Sequence, residues 1–462
     1  MSRRHAPSNE AEHGGIDRRT VMRTLGGGAA TVALAGLSGC SALLDGGGSD
    51  DGGTSEDGEI GTEPLEAGML TFTEGAPGVL GIQIQRGAEL AVERVNEAGG
   101  VYGQRPLNLD IVDEGQNPLD SYRQMIDEGK DVTFGPVSSG THEQIAPEVE
   151  SQEVVNISTA GTVTTLYWDT VSDPTYSFRF QNSDLMEVLV VAREAVDRMG
   201  ADNIDTVAGV NPGYSFGEDE QRFFKLALGG LIGDFDVVYE GLPDLGTSDM
   251  STHISEINST QPDLMFSSLW GGDAVTFLEQ AVANDMFSDS RVASTVMYSA
   301  ADDLSQDTVE ASNVIAGARS YYWNRPQHQF WEPGRQLFEA ARQQDDIGVP
   351  NPHYMAGYAA VTAWVTAVED AIDLLGRFPS QGETVQELEG HGFFTPAGYH
   401  VMPGPSENEP GHSGRSTGYA GEMVWDDDVG AAALDDVNAY SPQEISPPPG
   451  TRPEDWIDSW SN

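Results

Sequence analysis

Two short stretches carry residue types able to grip a small anion. Pro136-Val137-Ser138-Ser139-Gly140-Thr141 and Ser158-Thr159-Ala160-Gly161-Thr162 each follow a β-branched run and lead into a segment of helical character. Each offers hydroxyls, small side chains and backbone N–H groups at a helix start, where the helix dipole favours negative charge. Serine and threonine also serve as ordinary helix caps, so one such loop says little. Two on adjacent strands suit a carboxylate or another acceptor-rich group. A second motif, Gly213-Tyr214-Ser215-Phe216-Gly217, is a literal G-x-S-x-G between a strand and a helix, with His391, His400 and His412 downstream as in a serine-hydrolase triad. Asn211-Pro212 separates Ser215 from its strand, however, and no His-Gly-Gly oxyanion loop accompanies it. A serine hydrolase using Ser215 is the remote alternative, and the chain reads as a non-enzyme. His142-Glu143 is followed by Ala146 where a zincin needs its second histidine, and there is no P-loop. Asp426-Asp427-Asp428 reads as a solvated acidic run rather than a calcium loop. Neither metal nor cofactor is expected.

The elements that must position these residues alternate in type. Met69–Thr73, Leu107–Ile111, Val132–Val137 and Val154–Ser158 read as strands, separated by helical segments around 88–95, 118–126 and Thr141–Ser151. Thr159–Thr162 reads as a turn into a further helix. The rhythm restarts after Phe178. The helices Leu185–Met199, Phe216–Leu228, Met250–Asn258 and Ala274–Ala283 interleave with the strands Ile204–Val210, Phe235–Tyr239, Leu264–Leu269 and Arg291–Met297. Tyr354–Leu375 is a long, alanine-rich helix. The fold class is therefore α/β, two doubly wound lobes in succession. Ligands in such sheets sit beyond the carboxyl ends of the strands, where the two hydroxyl-bearing loops lie.

The chain has 23 basic and 74 acidic residues among 462, a formal charge of −51, and its only lysines are Lys130 and Lys225. The acids are spread along the whole length. This is the composition of a halophile's hydrated surface, suited to salt so concentrated that charges are screened within ~3 Å at 1 M. Nucleic acid is excluded as a partner, because no basic face exists to displace counterions. Cys40 is the sole cysteine, so neither a disulfide framework nor a cysteine metal site holds the fold. Arg18-Arg19, the small apolar run Leu25–Leu37 and Leu37-Ser38-Gly39-Cys40 have the layout of an export signal. They resemble a twin-arginine signal and a lipobox whose cysteine sulfur receives a lipid. The apolar run falls short of the ~20 residues needed to span a bilayer. Residues 1–39 are thus expected to be a signal peptide, 40–65 a flexible acidic Gly/Ser linker and 441–462 a Pro-rich tail. The expected location is the extracellular face of the cell membrane, through lipid on Cys40.

From Gly75 to Thr162 the chain resembles the leucine/isoleucine/valine-binding proteins, the extracytoplasmic receptors of branched-chain amino acid ABC importers. The resemblance rests on Arg86-Gly87-Ala88-Glu89-Leu90-Ala91, the stretch Val95 to Gly103, Phe134-Gly135-Pro136-Val137-Ser138-Ser139-Gly140 and Ile157-Ser158-Thr159-Ala160-Gly161-Thr162. It continues more weakly through Asn211–Gly217, Asp263–Trp270 and Tyr354–Ala367. It implies a type I periplasmic-binding-protein fold with three crossover strands. Lobe 1 would comprise 66–180 and 322–396, and lobe 2 would comprise 181–321 and 397–440. It implies that Ser139 and Thr162 bind a ligand carboxylate, with the carbonyl of Ala160 available to an ammonium. Tyr214 or Phe216 would close over the ligand from lobe 2, and Trp270 would be a further cleft aromatic. Family members that bind amino acids place a carboxylate soon after the strand matching Arg291–Met297; here Ser294-Thr295-Val296-Met297-Tyr298-Ser299 has none, leaving Asp302, Asp303 or Asp273 as substitutes. The ligand could therefore equally be an amide, urea, an aromatic acid or another small carboxylate. The expected partners are this solute and separate ABC permease and ATPase subunits, the binding protein itself being a monomer. A ligand-sensing receptor not coupled to transport is the alternative, disfavoured because the chain stops at Asn462 without a spanning segment. Desalting is expected to unfold the protein; a far-UV spectrum indifferent to salt would contradict the halophile reading.

Overall fold

The computed structural model describes residues 60–461, apart from 116, 289, 325–331, 345–346 and 407–408. Arg18, Arg19 and Cys40 lie outside the described residues, with most of the expected linker. The first β-branched runs form five parallel strands, β1 (Leu65–Thr71), β2 (Leu107–Asp113), β3 (Val132–Phe134), β4 (Asn156–Ser158) and β5 (Ser177–Arg179). They are ordered β2-β1-β3-β4-β5, with Met69 of β1 opposite Ile111 on one side and Phe134 on the other. Leu65, Ala67, Met69 and Leu70 are all buried, as expected of a parallel strand whose two faces are both covered.

A second sheet contains the parallel strands β6 (Thr206–Val210), β7 (Asp236–Gly241), β8 (Leu264–Ser267), β9 (Arg291–Ser294) and β10 (Val314–Gly317). β11 (Gly392–Thr395) and β12 (Gly398–Val401) form a separate hairpin. The long antiparallel pair β13 (Gly418–Asp426) and β14 (Ala431–Tyr440) then extends the second sheet, in the order β14-β13-β10-β9-β8-β6-β7. The alanine-rich helix Pro352–Leu375 returns to the first half and lies against the helix Gly75–Glu97. A Cβ on Gly87 would stand 1.9 Å from the carbonyl oxygen of Tyr354, and one on Gly357 would stand 1.9 Å from that of Ile84. Only glycines allow the two backbones to touch there.

Two stretches differ from the sequence reading. The segment after Thr162 holds only a single π-helical turn, Leu166–Thr170, rather than a full helix. The last twenty or so residues, read as a Pro-rich tail, form the helices Pro442–Ile445 and Pro453–Asp458. Ile445 and Ile457 are buried there, and Trp456 and Trp460 pack on the same cluster as Leu185 and Phe223. Apolar residues at helical spacing outweigh the prolines: Pro442 and Pro453 sit at first-turn positions that need no N–H donor, and Pro447, Pro448 and Pro449 fall between the two helices.

The chain passes between the sheets three times: after β5, after β10 and after β12. The passages are bonded to one another. Gly414 N–H donates to the Arg179 carbonyl at 2.7 Å and Tyr419 N–H to the Arg319 carbonyl at 3.1 Å. Ser416 N–H donates to Asn182 Oδ1 at 2.8 Å, and Ser320 Oγ donates to Gln181 Oε1 at 2.9 Å.

One buried carboxylate sets the loop after β3. Glu114, just past β2, accepts the N–H groups of Val137 at 2.8 Å and Ser138 at 2.9 Å. Its burial is complete, and that burial raises its pKa from 4.5 to about 7 against the pull of those two bonds. A carboxyl with a raised folded pKa gives its full contribution to stability below pH 4.5 and loses it as the pH rises through about 7. Between pH 5 and 8, the wild type is therefore expected to lose about 2–3 kcal/mol more unfolding free energy than Glu114→Gln. Urea unfolding of both proteins at the two pH values measures this, and parallel losses would refute it.

Candidate functional site

The loops beyond β3 and β4 meet at the carboxyl edge of the first sheet. Ser139 opens the helix Ser139–Gln152 and is buried; Thr162 is fully buried. Thr162 N–H donates to Ser139 Oγ at 3.1 Å, so the two expected ligand residues touch. Thr162 Oγ1 is buried without a hydrogen-bond partner. Ala160 is buried beside them, its N–H 3.4 Å from the Pro136 carbonyl, to which Thr159 Oγ1 also donates. His142 braces the arrangement from below, with Nδ1 3.2 Å from the Gly161 carbonyl and Nε2 3.3 Å from Ser177 Oγ. Burial, aided by the Arg179 charge, lowers its pKa to about 3, so the ring is neutral and structural.

The second sheet supplies the cover, also from its carboxyl edge. Tyr214 caps the helix Ser215–Ile232, and its Oη accepts from Trp270 Nε1 at 3.1 Å. Burial raises the Tyr214 phenol pKa, and Ser138 of the first loop lies within hydrogen-bonding reach of it. Trp270 caps the helix Gly271–Ala283 and tilts against Phe72, which follows β1, at 6.2 Å between centroids. Phe216 lies 6.1 Å from Tyr214. Phe216 and Trp270 share one apolar cluster with Val137 and Ala160 of the first half. The two halves are thus closed on each other, with hydroxyls on one wall and aromatic rings on the other. Excluding water in this way strengthens any polar contact made inside.

The triad reading is not assembled. Ser215 Oγ is buried without a hydrogen-bond partner. His412 Nε2 lies 2.9 Å from Glu389, His391 Nε2 lies 3.4 Å from Asp370, and His400 packs on Phe180. The acids suggested for an ammonium are also otherwise placed. Asp302 accepts from Gly348 N–H, Val349 N–H and Gln83 Nε2, and Asp273 accepts from Gly246 N–H. Asp303 is exposed.

Several groups at this edge escaped the sequence reading. Glu220 lies one helical turn beyond Phe216, is fully buried, and accepts from Thr295 Oγ1 at 2.7 Å, within the stretch where an acid was sought. Glu187, buried on the helix Asp184–Met199, lies 3.1 Å from Nη2 of the buried Arg319. Burial raises its pKa to about 7, although Arg319 and Arg179 pull it down. For Glu220, an acid on a helix face with Phe216, Phe223 and Phe224 was the available signal. Arg179, also buried, donates to the Val163 carbonyl at 2.7 Å and to Ser413 Oγ at 2.8 Å, joining the Thr162 loop to the third passage.

With this geometry in hand, comparison with known proteins places the chain. Leu/Ile/Val-binding protein homolog 7 of Brucella abortus (strain 2308) is 27% identical over 260 residues, which is 54% of this chain and 63% of that relative. The chain thus matches under two thirds of that relative's length. A solute binding protein of an ABC transporter from Rhodopseudomonas palustris BisB5, solved with 3,4-dihydroxy benzoic acid, superposes with a TM-score of 0.69 at 17% identity, covering 84% of this chain and 99% of that one. A leucine binding protein from Thermotoga maritima MSB8 superposes with a TM-score of 0.65 at 16% identity, covering 82% and 100%. These likenesses show the type I periplasmic-binding-protein fold expected from the sequence, and the relatives are binding proteins rather than enzymes, as the non-enzyme reading requires. The profile of the family described as "Periplasmic binding protein" matches residues 64–423, and the chain belongs to that family.

Proposed function

We propose that this chain is the solute-capturing component of an ABC importer, held at the outer face of the membrane by lipid on Cys40 after twin-arginine export through Arg18 and Arg19. The solute is small and bears a carboxylate or a comparable acceptor group: a branched-chain amino acid, or a related amide, urea or carboxylate. The observation that carries this reading is the meeting of Ser139 and Thr162 under Tyr214, Phe216 and Trp270. Ser139 Oγ accepts from Thr162 N–H, so its own proton remains to be donated, as does that of Thr162 Oγ1. The names of the relatives agree with both ligand types, one being a leucine binding protein and another having been solved with an aromatic acid. No helix among the described residues is long and apolar enough to cross a membrane.

The mechanism is capture without bond making. The open protein takes the solute on the Ser139 and Thr162 loops, and the second half then swings over it about the three passages. This shifts the population toward the closed form through contacts that only that form makes. The closed form docks on a permease whose partner subunits hydrolyse ATP. Ser139→Ala combined with Thr162→Val is expected to weaken solute binding by at least about a hundredfold, the loss of two hydrogen bonds to a charged group, with the far-UV spectrum unchanged. Calorimetry with whichever amino acid, amide or small acid most raises the wild-type Tm is the measurement. Equal affinity in the folded double variant would remove these residues from the site.

A further inference from the structure

Arg319 stands two residues past the carboxyl end of β10. It lies on the same edge of the second sheet from which Tyr214, Trp270 and Thr295 follow β6, β8 and β9. It is 4% exposed. Nη2 faces Glu187, but Nε and Nη1 are buried without a hydrogen-bond partner. Burying unfilled donors of a charged group is costly where no partner is found. The backbone is also constrained there. Arg319 has φ of 45°, a left-handed conformation, and is held in it by Ala318 N–H to Tyr419 O at 2.8 Å and by Tyr419 N–H to its own carbonyl. Non-glycine residues in that region concentrate at ligand clamps.

A second such group comes from the first half. His353, in the first turn of the helix Pro352–Leu375, is 1% exposed, and neither of its ring nitrogens has a hydrogen-bond partner. Asn351 Oδ1 takes the N–H groups of His353 and Tyr354, so what this helix end presents is the imidazole rather than its amides. Ser320, next to Arg319, donates to Gln181 Oε1 at 2.9 Å, and Gln181 Nε2 donates to the carbonyl of Pro352, next to His353, at 3.3 Å; the Arg319 charge also acts on His353 and Tyr214. Glu220 and Asp184 are pushed well above the usual carboxylate range, chiefly by burial, and Glu187 already faces Arg319.

We propose that Arg319 and His353 form a second polar end of the cleft, receiving a carboxylate at the far end of the solute from the group held by Ser139 and Thr162. The preferred solutes are then short dicarboxylates, aliphatic or aromatic. This rests on the capture reading above and adds the class of solute. The test is calorimetry on the wild type with five probes: pentanoate, pentanedioate, benzoate, benzene-1,4-dicarboxylate and leucine. At least one diacid is expected to bind about tenfold or more tighter than the monoacid of the same skeleton and than leucine. That advantage is expected to vanish in Arg319→Gln and to survive in part in Arg319→Lys. If removing the guanidinium leaves Glu187 uncompensated and the glutamine variant does not fold, the wild-type comparison and Arg319→Lys decide the matter. Leucine or a monoacid binding as tightly as its diacid overturns the Arg319 assignment and leaves solute capture standing. Silence from all five probes overturns the diacid assignment, and capture itself falls only if the amino acids, amides and small acids of the thermal screen are silent as well.

Discussion

Backbone N–H and C=O groups that emerge from the carboxyl ends of parallel strands have no neighbouring strand to pair with. Left buried and unpaired, each would cost as much as a lost hydrogen bond. In this protein, side chains from adjacent loops fill them. Glu114 takes Val137 and Ser138, Asp184 Oδ1 takes Thr164 N–H at 2.8 Å, and Ser139 takes Thr162. In the second half, Asn211 Oδ1 accepts both Ser268 N–H and Ser268 Oγ, while Ser267 Oγ donates to the Val210 carbonyl. Several loops at the cleft are therefore positioned by a side chain from another element. A site placed by such cross-links is rigid before the solute arrives, which lowers the ordering cost of binding.

The same accounting separates the protein's two populations of charge. Surface pairs such as Lys225 with Glu240 and Arg123 with Glu148 are solvated, and such pairs contribute little. Their number serves solubility. The titratable groups that matter to architecture are buried, and two of them stand where passages begin: Arg179 at the end of β5, bonded to Ser413, and Arg319 just past β10, facing Glu187. Breaking one partner of such a group leaves an uncompensated charge, with a penalty of ~3–5 kcal/mol. Any movement of the halves must therefore keep these contacts intact. That makes the passages a pivot rather than a place where the structure comes apart.

What was legible in the sequence was local. Alternating β-branched runs and helical periods marked β1 to β4 and β6 to β9 to within a few residues, but the short β5 and β10 carried too few residues to show a pattern. The loop at Ser139 announced itself through strand, small polar turn and helix in succession, whereas the loop at Thr162 leads only into a π turn. Glu114, Arg179, Arg319 and His353 were not legible, because what defines them is distance in space from residues far away in sequence. Arg179 bonds Ser413, and Arg319 bonds Tyr419. Nothing in the few residues around either arginine signals that partner. The closing helices were missed for another reason. Pro447, Pro448 and Pro449 suggested a structureless tail, yet Trp456, Ile457 and Trp460 keep helical spacing and find an apolar surface prepared by the helices Asp184–Met199 and Ser215–Ile232.

Those closing helices bear on how the halves part in the proposed cycle. On the side of the second half, the segment is fixed by buried Ile445 and Ile457, by the two packed tryptophans and by Arg222 with Glu454 at 2.6 Å. On the side of the first half, it meets the π turn, where Arg452 pairs with Asp169 at 2.6 Å and lies over Trp168 at 5.4 Å. The Arg452 and Asp169 side chains are 46% and 55% exposed, so this contact is screened and worth at most about 1 kcal/mol. The apolar attachment is worth ~1.5–3 kcal/mol for each fully buried aliphatic side chain. The strong contact therefore travels with the moving half, and the weak one lies on the line along which the halves must separate. The same asymmetry holds at the aromatic cover. The hydrogen bond from Trp270 to Tyr214 lies wholly within the second half, whereas its contact with Phe72 of the first half is a tilted ring pair, worth ~0.5–1.5 kcal/mol beyond the area it buries. Interfaces built this way close when a solute adds a few kcal/mol of bridging contacts and reopen when it leaves.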